Sequence, residues 1–342
     1  LNINVDDITG VMMVLLRLPD DVFIVIISHL DMTCVPAVAA VSKWFAANAN
    51  RCITELDLSA RSKYENRVTD VILRRLCYVS TLDLSSNRII TDVSPLRLLT
   101  SLSLYNCITI TNASIAGLTL LSALSLFHNY TITDISPLLS LTSLDLSYNY
   151  AITNISMLTL LQSLKLRNNY MIKNEDISHL TALQLLDLHE NKQISNISTL
   201  TALTSLNLSE NKLITNADIS VLPLVSLDIS YNKIITDISP FSSLTWLNIA
   251  CHEAINDAAV LTLPLTSLNL CNNKMITDVG VRGLSLLTSL NLSYNNYKRT
   301  ITTDGILALT SLTSLNLTCN YVIDVNRLNH TITIIKDRDE VW

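Results

Sequence analysis

Leucines recur along this chain in pairs separated by one residue, usually small and polar, and an asparagine commonly follows three positions later. Leu82-Asp83-Leu84 with Asn87, Leu144-Asp145-Leu146 with Asn149, and Leu290-Asn291-Leu292 with Asn295 show the unit plainly. The first leucine of each copy stands at 56, 82, 102, 124, 144, 164, 186, 206, 227, 247, 268, 290 and 315, so thirteen copies follow one another at spacings of 20 to 26 residues. Alternation of apolar and polar positions over so few residues predicts a short strand with one buried face. The ~11 residues left in each unit return the chain to the next strand, through turns and short 3₁₀ pieces, since a long helix does not fit. Successive strands are then parallel and in register. No unit hides its leucines alone, and neighbouring units bury them together.

The ninth residue of the unit is Asn in ten copies, at 87, 129, 149, 169, 191, 211, 232, 273, 295 and 320. The chain bends there and leaves backbone groups without strand partners. A carboxamide carries both donors and an acceptor, so it can satisfy them from inside. Cys107 takes the position once, and Arg61 and His252 take it in two further copies. Those last two units are expected to be the weakest, or locally irregular.

Period and pattern together resemble the leucine-rich repeat, LxxLxLxxN/CxL. The string at 141–149, LTSLDLSYN, matches it position by position, and the resemblance covers roughly residues 53–328. Segments such as Ile132-Thr133-Asp134-Ile135-Ser136-Pro137 resemble the short repeats of internalins. Ile276-Thr277-Asp278-Val279-Gly280-Val281 resembles the longer repeats of F-box leucine-rich proteins. In these segments Asp or Ser is expected to cap a turn on the side away from the strands.

Residues 11–50 depart from the repeat and read as helical. Pro19 suits a first helical turn, Asp20 and Asp21 complement the helix dipole, and Val22, Phe23, Ile26, Ile27 and Leu30 form one apolar face. The segment resembles an F-box through Leu18, Pro19, Asp21, Val22, Ile26, Leu30, Val41, Ser42 and Trp44. It departs from that pattern at Asp21, where Glu is common, and at Trp44, one residue early. The resemblance implies that these residues dock on a Skp-type adaptor of a cullin ubiquitin ligase while the repeats hold a substrate protein. A purely structural reading stands beside it, because a repeat stack needs its apolar end covered.

The expected architecture is an α/β leucine-rich-repeat solenoid with a parallel, in-register concave sheet and a small N-terminal helical F-box-like cap. Its divisions are 1–50 for the cap, 51–328 for the repeats and 329–342 for a C-terminal cap and charged tail. Ile332, Ile334 and Ile335 are the apolar residues there that can cover the last unit.

Composition narrows the function. The 342 residues are 49% apolar and only 15% charged, which excludes a disordered chain. The net charge of −6 offers no basic surface for nucleic acid or anionic lipid. The stretch 98–133 carries no charged residue, but Ser, Thr and Asn interrupt it too often for a membrane span. Seven cysteines without a CxxC pair read as buried thiols in a reducing compartment, and no basic stretch with an apolar run opens the sequence as a secretory signal would. The expected location is therefore intracellular, cytoplasmic or nuclear, and the expected state outside a complex is a monomer.

No catalytic motif and no His/Cys pair at metal-ligand spacing is present, so an enzyme, a metal and a cofactor are not expected. Equivalent positions of the units should stack in columns. One column places Lys165 between Asp145 and Asp187, as an ion-pair ladder, and runs Asn248, Asn269, Asn291, Asn316 as a candidate amide ladder. The next holds Tyr105 and Phe127 side by side, then Arg167 and His189, and Trp246 stands in a neighbouring column. These five are the candidate partner-binding residues. The competing class is a leucine-rich-repeat scaffold, or an internalin-like binding protein, with no ubiquitin role.

Overall fold

A computed structural model describes residues 54–60, 68–74, 76, 78–295 and 301–336. The F-box-like string, with Leu18, Pro19, Asp21, Val22, Ile26, Leu30, Val41 and Trp44, lies outside the described residues, as does Arg61. The chain forms two compact units. The first carries β1 (Glu55–Asp57), β2 (Thr81–Asp83), β3 (Ser101–Ser103), β4 (Ala123–Ser125) and β5 (Ser143–Asp145). The second carries β6 (Ser163–Lys165), β7 (Leu185–Asp187), β8 (Ser205–Asn207), β9 (Ser226–Asp228), β10 (Trp246–Asn248), β11 (Ser267–Asn269), β12 (Ser289–Asn291), β13 (Ser314–Asn316) and β14 (Thr333–Ile335).

Within each unit consecutive strands pair parallel, leucine opposite leucine. Leu56, Leu82, Leu102, Leu124 and Leu144 are partners in the first. The run from Leu164 to Leu315 does the same in the second. All thirteen of these leucines are buried, as is the apolar residue two places after each. At about 1.5–3 kcal/mol for each side chain fully removed from water, every repeat gains its stability only when the next covers it. The tail adds one strand more than the repeat count: β14 pairs with β13 and sets Ile334 opposite Leu315. The sheet pattern thus runs on past 328.

Repeat length decides what lies between strands. Intervals of 20 residues close through an Asx turn: Asp92 accepts from the Ser94 amide, Asp134 from Ser136, Asn154 from Ser156, Asn196 from Ser198 and Asp237 from Ser239. These bonds hold the carboxyls of Asp92, Asp134 and Asp237 below the usual aspartate range. The turn cap expected from the sequence is therefore present. Longer intervals fit one helical turn instead: α1 (Asp70–Leu73), α2 (Asn112–Ile115), α3 (Asn174–Ile177), α4 (Asn216–Ile219), α5 (Asp257–Val260), α6 (Asp278–Arg282) and α7 (Thr303–Leu307). The return segments are thus more α-helical than expected, and one 3₁₀ turn, Val325–Arg327, follows β13. The first residue of most of these helices reaches the next repeat. Asp257 accepts from the Thr277 amide and hydroxyl, and Asp278 does the same for Thr302.

The asparagines sit as predicted. Asn149 donates through Nδ2 to the carbonyls of Leu126 and Asn129, and its Oδ1 accepts from the amides of Ala151 and Ile152. Asn191, Asn211 and Asn232 repeat the scheme. Just before each of these ninth positions the backbone is left-handed. Among the described residues twelve, from Ser86 to Cys319, have φ between 48° and 60°, and none is glycine. Inter-strand bonding imposes that conformation, as where the Ser86 amide donates to Tyr105 O and Tyr148 to Arg167 O. It does so against a local cost of about 1–2 kcal/mol per residue.

His252 corrects the expectation of an irregular repeat. Register continues through it, with Leu247 opposite Leu227 and Leu268. Its Nδ1 accepts from the amides of Ala254 and Ile255 at 3.2 and 3.3 Å, and Nε2 faces the Ile235 carbonyl at 3.1 Å. Two donors converging on Nδ1 require the neutral ring with its proton on Nε2. Imidazole thus reproduces the acceptor role of the carboxamide.

Burial pushes the His252 pKa below its ordinary 6.5, although the bond to Ile235 and nearby Glu253 oppose the shift. The folded ring therefore resists a proton that the unfolded chain accepts. The stability it contributes is complete above pH 6.5 and is lost as pH falls from there through the folded-state value. His252→Asn is expected to flatten this part of the stability profile. Identical slopes for variant and parent in urea unfolding, measured on the acid side of neutrality, would remove His252 as the cause.

Candidate binding face

Beyond the second core position of each strand the chain bends, and the strand ladder breaks. At the break one backbone amide and one carbonyl lose their partners, and two side chains replace them. In the second repeat, Asp83 Oδ1 accepts from the Ser85 amide and Asn87 Nδ2 donates to Leu58 O. The same arrangement appears for Asp228 with Ser230, Asn248 with Ala250, Asn269 with Cys271, Asn291 with Ser293 and Asn316 with Thr318. The column proposed as an amide ladder is therefore a column of turn caps. Each oxygen turns back to its own chain, and Asn248 Nδ2 reaches Asp228.

The ion pairing in the column also differs from expectation. Asp187 is engaged by Arg167 at 3.0 Å and accepts from the His189 amide at 3.0 Å. His189 Nδ1 lies 2.6 Å from Ser209 Oγ. Arg167 and His189 thus hold the second unit's own polar groups, and buried Asp187 accepts from the guanidinium. Trp246 opens β10 between Ser226 and Ser267 and is 38% exposed, a solitary ring on a face of small residues.

Tyr105 and Phe127 do come together, edge to face with centroids 5.1 Å apart. They are part of a larger cluster in the first unit. His128 packs against Phe127 at 4.8 Å and Tyr105 at 6.4 Å, and its Nδ1 lies 3.0 Å from the Tyr130 hydroxyl. Tyr130 stacks on Tyr150 with centroids 6.0 Å apart. Tyr105, Tyr130 and Tyr150 are exposed, at 39%, 49% and 39%. His128, Tyr130 and Tyr150 were legible only by reading the columns past the bend, where Tyr130 and Tyr150 share one repeat position.

Edge-to-face rings fix one another's orientation, so the cluster offers large apolar area at small entropic cost on binding. Four of its five residues fall in the stretch 98–133, which bears no charge, and Asp145 of β5 pairs with Ser125 of β4. The arrangement can bury rings against a partner. Among the described residues no group of His, Cys, Asp and Glu could hold a metal ion, and no helix is long and apolar enough to cross a membrane.

Parallel register, the buried asparagines and the repeat length are those of the leucine-rich-repeat fold. Residues 199–222 and 264–285 match the family model described as Leucine Rich repeat. No curated protein matches the chain significantly. Among solved structures it is similar to an internalin, InlF, from Listeria monocytogenes, at 27% identity and a TM-score of 0.55 over 89% of this chain and 95% of that one. It is also similar in fold to TLR13 in its complex with ssRNA13, at 24% identity and a TM-score of 0.53, covering 72% of this chain and 40% of that one. Rad7 with Elc1 from yeast gives 18% identity and a TM-score of 0.52, with 86% of each chain covered.

Proposed function

We propose that this protein is a non-enzymatic protein-recognition module that binds its partner through the aromatic cluster of the first unit. The observation that carries this reading is the half-exposed chain of ring contacts from Tyr105 through Phe127, His128 and Tyr130 to Tyr150. Repeat sheets of this kind serve as extended binding surfaces. Tyr-rich anchors are the residues that dominate such interfaces.

A narrower reading is favoured by the string Leu18-Pro19-Asp20-Asp21 and the apolar residues after it. In it the protein is the substrate-recognition adaptor of a Skp-cullin-F-box ubiquitin ligase, working in the cytoplasm or nucleus as a monomer until it assembles. Leu18, Pro19, Val22, Ile26 and Leu30 bury against the Skp-type adaptor, Asp21, Val41 and Trp44 complete that contact, and the repeats hold the substrate protein. Fold likeness alone does not choose between this role and a plain scaffold.

One capture experiment on the full chain tests both. Immobilised wild type is expected to retain a purified Skp-type adaptor, and the double variant Leu18→Ala, Pro19→Ala to lose it. The double variant Tyr105→Ser, Phe127→Ser is expected to keep the adaptor and to lose at least tenfold of the client protein that wild type captures. A wild type that ignores the adaptor overturns the ubiquitin role and leaves the scaffold. Undiminished client capture by the ring variant eliminates the aromatic face.

A further inference from the structure

The second unit holds two half-exposed thiols on adjacent repeats, and the recognition function uses neither. Cys251 lies just past β10 and Cys271 just past β11. The Cys251 amide donates to the Cys271 carbonyl at 3.0 Å, and the Cys251 thiol lies 3.9 Å from the same oxygen. Covalent geometry around such a bond puts the two Cα atoms about 5–6.5 Å apart, inside the range of about 4.4–6.8 Å that a disulfide spans. Among the four described cysteines Cys107 alone is buried, and it faces the Asn87 carbonyl at 3.6 Å.

We propose that Cys251 and Cys271 form a dithiol site that reacts with low-molecular-weight disulfides and closes to an intramolecular disulfide joining two adjacent repeats. The environment selects Cys251 as the first nucleophile. Asn272 Nδ2 donates to its sulfur at 3.4 Å, and the Tyr231 hydroxyl hydrogen-bonds it from the preceding repeat. The Tyr231 phenol is pushed up to about 12, first by its hydrogen bond to Cys251 and in smaller part by burial and by Cys271.

The reaction runs in two exchanges. The Cys251 thiolate attacks one sulfur of the small disulfide, and the other leaves as a thiolate that takes up a proton. The Cys271 thiolate then attacks Cys251 Sγ, breaks the mixed disulfide and expels the second small thiolate. The protein loses two electrons and two protons, and the small disulfide becomes two thiols.

Oxidised glutathione is the probe, applied to the folded full chain. Cleavage at both Glu253 and Lys274 places Cys251, Cys271 and Cys319 on three separate peptides, so mass mapping without reductant distinguishes every product. Wild type is expected to yield the Cys251 and Cys271 peptides joined, with the loss of two hydrogens and no glutathione attached. Cys271→Ser is expected to stop at the first step, with glutathione held on Cys251. A persistent glutathione adduct on wild-type Cys251, a bond from Cys251 to Cys319, or two unreacted thiols would each overturn the proposal.

Discussion

Asn149→Ala is expected to lower the stability of the protein by about 3 kcal/mol, because a buried group left without a partner costs about 1–3 kcal/mol and this change creates several. The side chain is fully buried and makes four bonds to backbone. Alanine strands the amides of Ala151 and Ile152 and the carbonyls of Leu126 and Asn129 together. Burial decides the size of the effect, since water cannot readily replace the carboxamide. Asn149→Cys is expected to cost less, as Cys107 already fills the equivalent position while keeping a bond to the Asn87 carbonyl. Urea unfolding reads both values. A midpoint unmoved by alanine would mean that the asparagines do not hold the bend.

Gly305→Ala is expected to destabilise by about 1–3 kcal/mol, the usual range for forcing an extra carbon into packed surroundings. The sign is the informative part. Alanine in place of glycine inside a helix normally gains up to about 1 kcal/mol. In α7 a Cβ at this position would overlap the Asp278 carboxylate. That carboxylate accepts from the Thr302 amide at 2.8 Å and its hydroxyl at 2.6 Å, so displacing it breaks the tie between α6 and the following repeat. Gly280 stands in the same relation to Asp257. Gly117→Ala supplies the contrast, since a Cβ there meets nothing within 4 Å. Thermal unfolding of the two variants should move in opposite directions, or leave Gly117→Ala unchanged. A stabilised Gly305→Ala would show that the Asp278 tie contributes little.

Much of this fold was readable in advance because its determinants are local and repeated. The leucine spacing located all thirteen strand centres from Leu56 to Leu315, and the carboxamide chemistry of the ninth position placed the asparagines inside. The reading failed where a residue's role is set by the bend. Asp228 and Asn248 looked like an exposed polar column, yet each closes a turn two residues on. His252 looked like a defect because its ring is not a carboxamide, but Nδ1 can accept the same two amides. The half-exposed thiols of Cys251 and Cys271 had likewise been read as buried.

The candidate face divides in the same way. Pairing of Tyr105 with Phe127 followed from register alone. The addition of His128, Tyr130 and Tyr150 did not, because those residues lie beyond the strand, where the left-handed turn at His128 sets the direction of each ring. Arg167 pairs with Asp187 across one repeat, a contact that the column positions do not show by themselves.

By itself, the amino-acid order determined the period, the parallel register and the inward face, since burying an aliphatic side chain every second residue admits one pairing and a slip of one position would turn every leucine outward. Only the tertiary structure decided which polar side chains serve the backbone and which rings meet. Some of those outcomes, such as Asn149 on Leu126 and Tyr105 on Phe127, join groups about twenty residues apart, and others, such as the caps of Asp228 and Asn248, join groups two residues apart across the bend. In both cases the path of the turned backbone sets the geometry.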